Sequence, residues 1–335
     1  MRVFLTGGTG LVGSHVAAML RREGHEITAL VRRDSDVSFL RQLGVRLCVG
    51  DLTLAASLTE ALRPCESLVH SAALIVAGSS WEVYQRVNVG GTESLFEAAV
   101  GAGVKRAVHI STVAVYGGAE VAGRAPVDEE VPLDLPLASG EFYARSKRLA
   151  DAVASRFQAE REIEVVIVRP ALVYGERDRI ALPRLARFLR SPVIPLVGGG
   201  ARALPIVYAG NVAGGIVRAM RSPAAAGRTY NLATDFTISQ KDFLRLLAER
   251  LGVKPIFVPI PYDAAHGLAW TIERITGALT DRPPFLNRRN VSFMGAGNPF
   301  DSRRIRAELG WEPEVDHAEG VRRSVDWYLQ GKRAR

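Results

Sequence analysis

Three glycines spaced three apart near the amino terminus, Gly7, Gly10 and Gly13, constrain this chain more than any other feature. They follow an apolar triplet at residues 3–5 and precede Val12, Val16 and Leu20, which recur at helical i, i+4, i+8 spacing. Gly24 stands where a helix C-cap belongs, and residues 27–31 read as a second strand. A strand that turns sharply into a helix aims the helix's free N–H groups and positive dipole end at the turn. Gly7 permits that turn. At Gly10 a Cβ would block a pyrophosphate, and Gly13 lets the helix lie close on the sheet. Flanked by strand, helix and strand within about thirty residues, the glycines predict a dinucleotide-binding unit. Gly7, Thr9, Gly10, Leu11, Val12 and Gly13 are its expected phosphate-side residues.

The alternation continues. Strands are expected at residues 45–49, 67–70, 107–111 and 165–169, and helices at 39–43, 55–62, 81–101 and 143–161. Such alternation predicts parallel strands, right-handed crossovers and helices on both faces, a Rossmann-type doubly wound α/β sheet. Its ligands belong at the carboxyl ends of the strands. After Tyr174 the pattern loosens, with prolines at 183, 192 and 195 and a glycine triplet at 198–200. A strand is expected at 230–233, an extended segment at 256–259, and helices at 239–251, 263–279, 301–309 and 318–329. Residues 1–175 read as the dinucleotide-binding domain, with 204–235 returning to it in part and 206–220 rejoining the sheet. Residues 176–330 read mostly as a smaller α/β substrate domain.

Bulk properties exclude several classes. The net charge of +8 is scattered, with no basic run interleaved with aromatics, so nucleic acid is not an expected partner. Cys48 and Cys65 have neither metal-ligand spacing nor a disulfide framework; no metal is expected, and Cys48 reads as core. The first strand begins too early for a signal peptide, and no uncharged apolar run reaches spanning length. A cytoplasmic location is the expectation.

Two stretches carry chemistry. One is the strand end Ile110-Ser111-Thr112, which runs into a turn ending at Tyr116-Gly117. The other holds Tyr143 and Lys147, four apart and therefore on one helix face. An ammonium beside a phenol favours the phenolate, which makes Tyr143 a usable acid or base near neutral pH. Thr112, or its neighbour Ser111, can hydrogen-bond the same substrate oxygen.

Further motifs follow in order: Gly50-Asp51-Leu52, His70-Ser71-Ala72-Ala73, Asn88-Val89-Gly90-Gly91-Thr92, and Arg169-Pro170-Ala171-Leu172-Val173-Tyr174-Gly175. With these and the glycine motif, the chain resembles the extended short-chain dehydrogenase/reductase family over nearly all its length. It is most like the branch containing 3β-hydroxysteroid dehydrogenases, sterol decarboxylating dehydrogenases and dihydroflavonol reductases. The resemblance implies that Asp51 and Leu52 lie at the adenine, Ala72 and Ala73 under the cofactor, and Asn88 behind the active-site helix. It also implies that Lys147 bonds the nicotinamide ribose, that Ser111, Tyr143, Pro170 and Val173 border the cofactor, and that the catalytic hydroxyl is Thr112. Nucleotide-sugar epimerases and dehydratases commonly carry an Asn where this chain has Leu172, which implies an apolar substrate here. Where the family often shows an Asp-Asn pair, this chain reads Ala209-Gly210-Asn211.

An acid at the end of the second strand would bond both ribose hydroxyls; here Arg32 and Arg33 stand there, a match for a 2′-phosphate. NADP is therefore favoured over NAD, the alternative in which Asp34 reaches the ribose. The leading expectation is hydride transfer between a secondary alcohol and a ketone on an apolar, steroid-like or other ring-containing small molecule. The alternatives are an NAD-dependent nucleotide-sugar epimerase or dehydratase and a non-catalytic NAD(P)-binding sensor or scaffold, against which the intact Tyr143/Lys147 pair counts. A homodimer without stable membrane insertion is expected. The amphipathic helix at 263–279, with Trp270 and Ile272 beside Arg274, is read as cleft lining in preference to a membrane contact.

Overall fold

The computed structural model describes residues 1–75, 78–117, 126–161, 163–233, 235–279 and 287–333. Its strands are β1 (Arg2–Thr6), β2 (Glu26–Val31), β3 (Arg46–Val49), β4 (Ser67–His70), β5 (Arg106–Ile110), β6 (Glu164–Pro170), β7 (Leu172–Tyr174), β8 (Val193–Val197), β9 (Ile206–Tyr208), β10 (Thr229–Leu232) and β11 (Ile256–Ile260). Seven of them form one sheet in the order β10-β6-β5-β4-β1-β2-β3. Every pairing in it is parallel.

A sheet covered on both faces needs strands that are apolar on both sides. In β1, Val3 and Leu5 enter one core with Val16, Leu20, Val108 and Val212. Phe4, between them, enters the opposite core with Leu62, Phe96 and Phe157. The period-2 side-chain alternation of a strand divides the two layers. From β1 the chain moves outward through β2 and β3, then crosses to β4 on β1's other side. The carboxyl ends of β1 and β4 thus flank the topological switch point, where such sheets bind ligands.

Two expectations need correction. Residues 206–208 do not rejoin the main sheet; β9 pairs with β7 in a separate two-stranded sheet. The chain leaves the main sheet at Pro170, and Leu172 N–H then bonds the Pro205 carbonyl at 3.1 Å, so β9 follows β7 off the sheet. The seventh main-sheet strand is β10, and the helix Ala209–Arg221 packs instead on the helix Leu11–Arg22. Cys48 is half-buried on the edge strand β3; Cys65 is the buried cysteine.

The glycine at 210 has a packing cause, because a Cβ there would lie 2.5 Å from the Tyr208 ring. Asn211 clamps this joint, donating to the Asp235 carboxylate at 2.9 Å and the Val315 carbonyl at 2.7 Å. A separate apolar cluster gathers Leu182, Ile194, Phe243, Leu247, Val321 and Val325, beside the β8–β11 pair. The helix Tyr262–Leu279 buries Ala265 and Ala269 and leaves Leu268, Trp270 and Ile275 exposed. Among the described residues no helix is long and apolar enough to cross a membrane, and no cluster is placed to hold a metal ion.

Candidate active site

β1 runs directly into the glycine turn. Gly7 adopts φ +70°, and a Cβ on it would lie 2.7 Å from the Ala72 backbone nitrogen, so the turn presses on the loop after β4. A Cβ on Gly13 would lie 2.2 Å from the Gly7 carbonyl oxygen. On Gly10, which is exposed, it would meet only that same oxygen, at 3.3 Å. Gly10 is the N-cap of the helix Leu11–Arg22, with no side-chain cap and no acidic residue in the first turn. Ser14 N–H makes the first internal bond, to Gly10 at 3.0 Å, so the N–H groups of Leu11, Val12 and Gly13 precede the ladder. Bare backbone before an uncapped, electropositive helix end fits a dinucleotide's pyrophosphate. Thr9, Leu11 and Val12 are half-buried around it.

A polar chain fixes the floor of the cleft. Ala72 N–H donates to Thr6 Oγ1 at 3.2 Å, and Thr6 Oγ1 lies 2.8 Å from His70 Nδ1. On the other side, His70 Nε2 lies 2.9 Å from Thr92 Oγ1, which donates to the Asn88 carbonyl at 2.6 Å. One tautomer satisfies every bond: His70 carries its proton on Nε2, donates to Thr92 and accepts from Thr6. Burial holds His70 neutral, its pKa well below the usual value. Asn88 sits in a π-helical turn, Gln85–Gly90, and binds Leu74 N–H at 2.7 Å and Ser146 Oγ at 2.9 Å. It thus ties the loop after β4 to the helix Phe142–Glu160, which carries Tyr143 and Lys147.

Lys147 is buried. Its Nζ donates to the Ile110 carbonyl at 2.8 Å and approaches His109 Nε2 at 3.4 Å. Burial lowers its pKa to about 8, with Asp151 acting in the opposite direction. Tyr143, half-buried, stands one turn earlier on the same helix face. Thr112 is the N-cap of the 3₁₀ turn Val113–Tyr116, its Oγ1 accepting Ala114 N–H at 3.2 Å. A hydroxyl that accepts in this way keeps its own proton to donate elsewhere. Ser111 Oγ is enclosed, with no hydrogen-bond partner among the described residues.

Other tyrosines at strand ends are committed to structure. Tyr116 is fully buried, donating to Asn231 Oδ1 at 2.9 Å and accepting from Arg169 at 2.8 Å. Tyr174 lies 2.8 Å from His317 Nδ1, and burial raises its pKa far above the usual range.

The rim is less enclosed. Arg32 and Arg33 are exposed just past β2, with Arg32 Nε 3.7 Å from Asp34. Asp51, past β3, accepts Thr53 N–H and Oγ1–H, both at 2.8 Å, which with the nearby arginines lowers its pKa. Leu52 lies half-buried against Gly91. Ala73 follows Ala72 in the β4 loop; Pro170 closes β6, Val173 is half-buried in β7, and Leu172 is 50% exposed between them.

The structure adds His109 and Asp151, which motif reading passes over. His109 and Asp151 adjoin Lys147, and Arg169 donates to Asp151 at 3.1 Å. A sequence signal exists for each: Asp151 is one helical turn past Lys147, and His109 is two residues before Ser111 on the same strand face.

The model of the NAD dependent epimerase/dehydratase family matches residues 3–233. A ketoreductase of Stigmatella aurantiaca, named for 4-hydroxy-2-methyl-3-oxo-4-farnesyl-3,4-dihydroquinoline-1-oxide, is 32% identical over 96% of this chain and 95% of its own. A 3beta-hydroxysteroid-dehydrogenase/decarboxylase of Arabidopsis thaliana is 24% identical over 96% of this chain and 78% of its own. The crystal structure of DesIV, a dTDP-glucose 4,6-dehydratase from Streptomyces venezuelae with NAD and TYD bound, superposes with a TM-score of 0.77 at 25% identity, covering 100% and 98% of the two chains.

Proposed function

Because the chain belongs to the NAD dependent epimerase/dehydratase family, whose members are NAD(P)-dependent enzymes of the extended short-chain type, we propose that it interconverts a secondary alcohol and a ketone on an apolar, ring-containing small molecule. The observation that carries the substrate class is Leu172, half exposed at the carboxyl end of the sheet directly after β6. A sugar-linked diphosphate needs a polar partner there, and leucine offers none. The relative named for a farnesylated quinoline ketone fits the same reading.

In this mechanism the bound cofactor supplies or accepts the hydride. Tyr143 moves the proton at the substrate oxygen, and Thr112 donates its free O–H to that oxygen. Charged Lys147 stabilises the Tyr143 phenolate and lowers its pKa. Backbone at Leu11 and Val12 would hold the pyrophosphate, with Gly10 leaving room for it.

The nucleotide-sugar reading oxidises and re-reduces one substrate on a retained cofactor. Mixing the protein with free NADPH and a panel of steroid, quinoline and flavonoid ketones separates the two. Stoichiometric loss of nicotinamide absorbance is the expected result. Turnover of a nucleotide sugar with no net absorbance change would overturn the proposal.

Cofactor preference is assigned to Arg32 and Arg33, whose exposed guanidinium groups suit a 2′-phosphate. Replacing both with Gln is expected to weaken NADP more than NAD, each lost charge-assisted contact costing about 1.5–3 kcal/mol. Calorimetric titration of both cofactors reads this, and equal weakening would rule the assignment out.

A further inference from the structure

Lys147 is one of five lysines in the chain and is buried beside a group of ionisable side chains drawn from four elements. β5 contributes His109, whose Nε2 is 3.4 Å from Lys147 Nζ and 3.3 Å from Asp151 Oδ1. The helix Phe142–Glu160 contributes Asp151 and, one turn before Lys147, Tyr143. β6 contributes Arg169, bound to the other Asp151 oxygen at 3.1 Å. His70 on β4 completes the surround, its ring 5.3 Å from the His109 ring. All but Tyr143 are buried.

Burial holds both histidines neutral, His109 down to about 4. Burial alone would raise the Asp151 carboxyl; the Arg169 and Lys147 cations outweigh it and keep the group ionised. The enclosed group therefore contains two cations, Lys147 and Arg169, against one carboxylate. A charged ammonium is donor-only, so Lys147 engages Nε2 only when the His109 proton is on Nδ1. Among the described residues neither His109 Nδ1 nor Asp151 Oδ1 has a hydrogen-bond partner. Arg169 satisfies Oδ2, whereas Oδ1 lies 3.3 Å from His109 Nε2, and the carboxylate's charge acts against burial to raise the Lys147 pKa. Without a carboxylate nearby, a lysine this deeply buried would shed its proton.

We propose that Asp151 and His109 are positioning residues that keep the buried Lys147 ammonium charged and aimed along the Ile110 carbonyl, so that the group carries the single net positive charge that a Tyr143 phenolate complements. This rests on Lys147 acting beside Tyr143, as proposed above. It assigns the state of that lysine to a carboxylate one turn away and to a ring on the neighbouring strand.

The test is to titrate Lys147 directly in the full chain, without substrate or turnover. With ¹³Cε-labelled lysine the spectrum holds five signals, and the one lost in Lys147→Met is assigned. Asp151→Asn is expected to move the Lys147 midpoint down by about one unit or more, the effect of removing an opposite charge at this range. Asp151→Glu is expected to restore it, and the four other lysine signals check that the fold is intact. If Asp151→Asn does not fold, His109→Leu and His109→Gln carry the same test. The Leu variant should lower the midpoint. The Gln variant, whose amide both accepts and donates, should retain it. A Lys147 midpoint unchanged in Asp151→Asn, or equal in His109→Leu and His109→Gln, would overturn the proposal. Because the readout is protonation, it can fail while Tyr143/Lys147 chemistry stands, and the activity of Lys147→Met tests that chemistry separately.

Discussion

Tyr143→Phe is expected to lower turnover by about 10²–10⁴, the contribution of one positioned acid or base, while folding and cofactor affinity survive. The substitution removes a hydroxyl and keeps the ring, and Tyr143 is only half-buried, so little packing is lost. Lys147→Met should lower activity as well and should weaken cofactor binding if Nζ reaches the ribose. The sign of its pH effect follows from charge. In the alcohol-oxidising direction the rate rises as Tyr143 ionises, and a neighbouring ammonium brings that rise to lower pH. With Met at 147 the rising limb should move upward. In the wild type, burial lowers Lys147 to about 8, so its own loss of charge begins within the working range and erodes the effect above that pH. Steady-state pH–rate profiles of the wild type and both variants check these outcomes. Near-wild-type turnover by Tyr143→Phe would exclude Tyr143 as the proton-transfer group. Tyr116 and Tyr174 are poor substitutes, because both hydroxyls are already engaged by buried side chains, Asn231 and Arg169 for the first and His317 for the second.

The second large effect separates two glycines three residues apart. Gly13→Ala puts a Cβ 2.2 Å from the Gly7 carbonyl oxygen and 2.7 Å from its carbon, so backbone has to move. A loss of about 3 kcal/mol of stability, the upper end for overpacking, is expected, read as a lower urea midpoint. At Gly10 an added Cβ meets only the Gly7 oxygen at 3.3 Å, at φ −83°, a conformation open to any residue, so Gly10→Val asks only a small shift of that oxygen. Its fold should be near native, with cofactor affinity down by more than about 1.4 kcal/mol, or tenfold, because the side chain stands in the proposed pyrophosphate site. Calorimetry together with far-UV circular dichroism distinguishes the two. Native stability and affinity in Gly13→Ala would remove the packing account, and unchanged affinity in Gly10→Val would show that the glycine turn does not hold the dinucleotide.

Much of this architecture was legible before any coordinates. The strand–turn–helix at Gly7–Gly13 has a local cause, since the φ of +70° at position 7 favours glycine and the backbone approaches at positions 7 and 13 leave no room for a Cβ. Alternating apolar runs mark strands buried on both faces, as Val3, Phe4 and Leu5 show by entering opposite cores. Tyr143 and Lys147 share a face because four residues make roughly one helical turn. Residues 206–208 misled because a three-residue apolar run says that a strand exists and nothing about which strand it pairs with. Cys48 misled for a related reason: apolar neighbours mark a strand, but only the strand order places it at the sheet edge.

What the sequence determined by itself is therefore whatever depends on chain geometry over a few residues: the element periods, the glycine turn and the Tyr143/Lys147 pair. Tertiary structure alone decided which strands meet, and with that the chemistry of the lysine. His109, Lys147 with Asp151, and Arg169 come from β5, the helix after it and β6, elements that touch only because β5 and β6 pair. Burial and charge coupling act through space and fall steeply with distance, so a motif can name Lys147, but only the packed fold sets its surroundings and its state of charge.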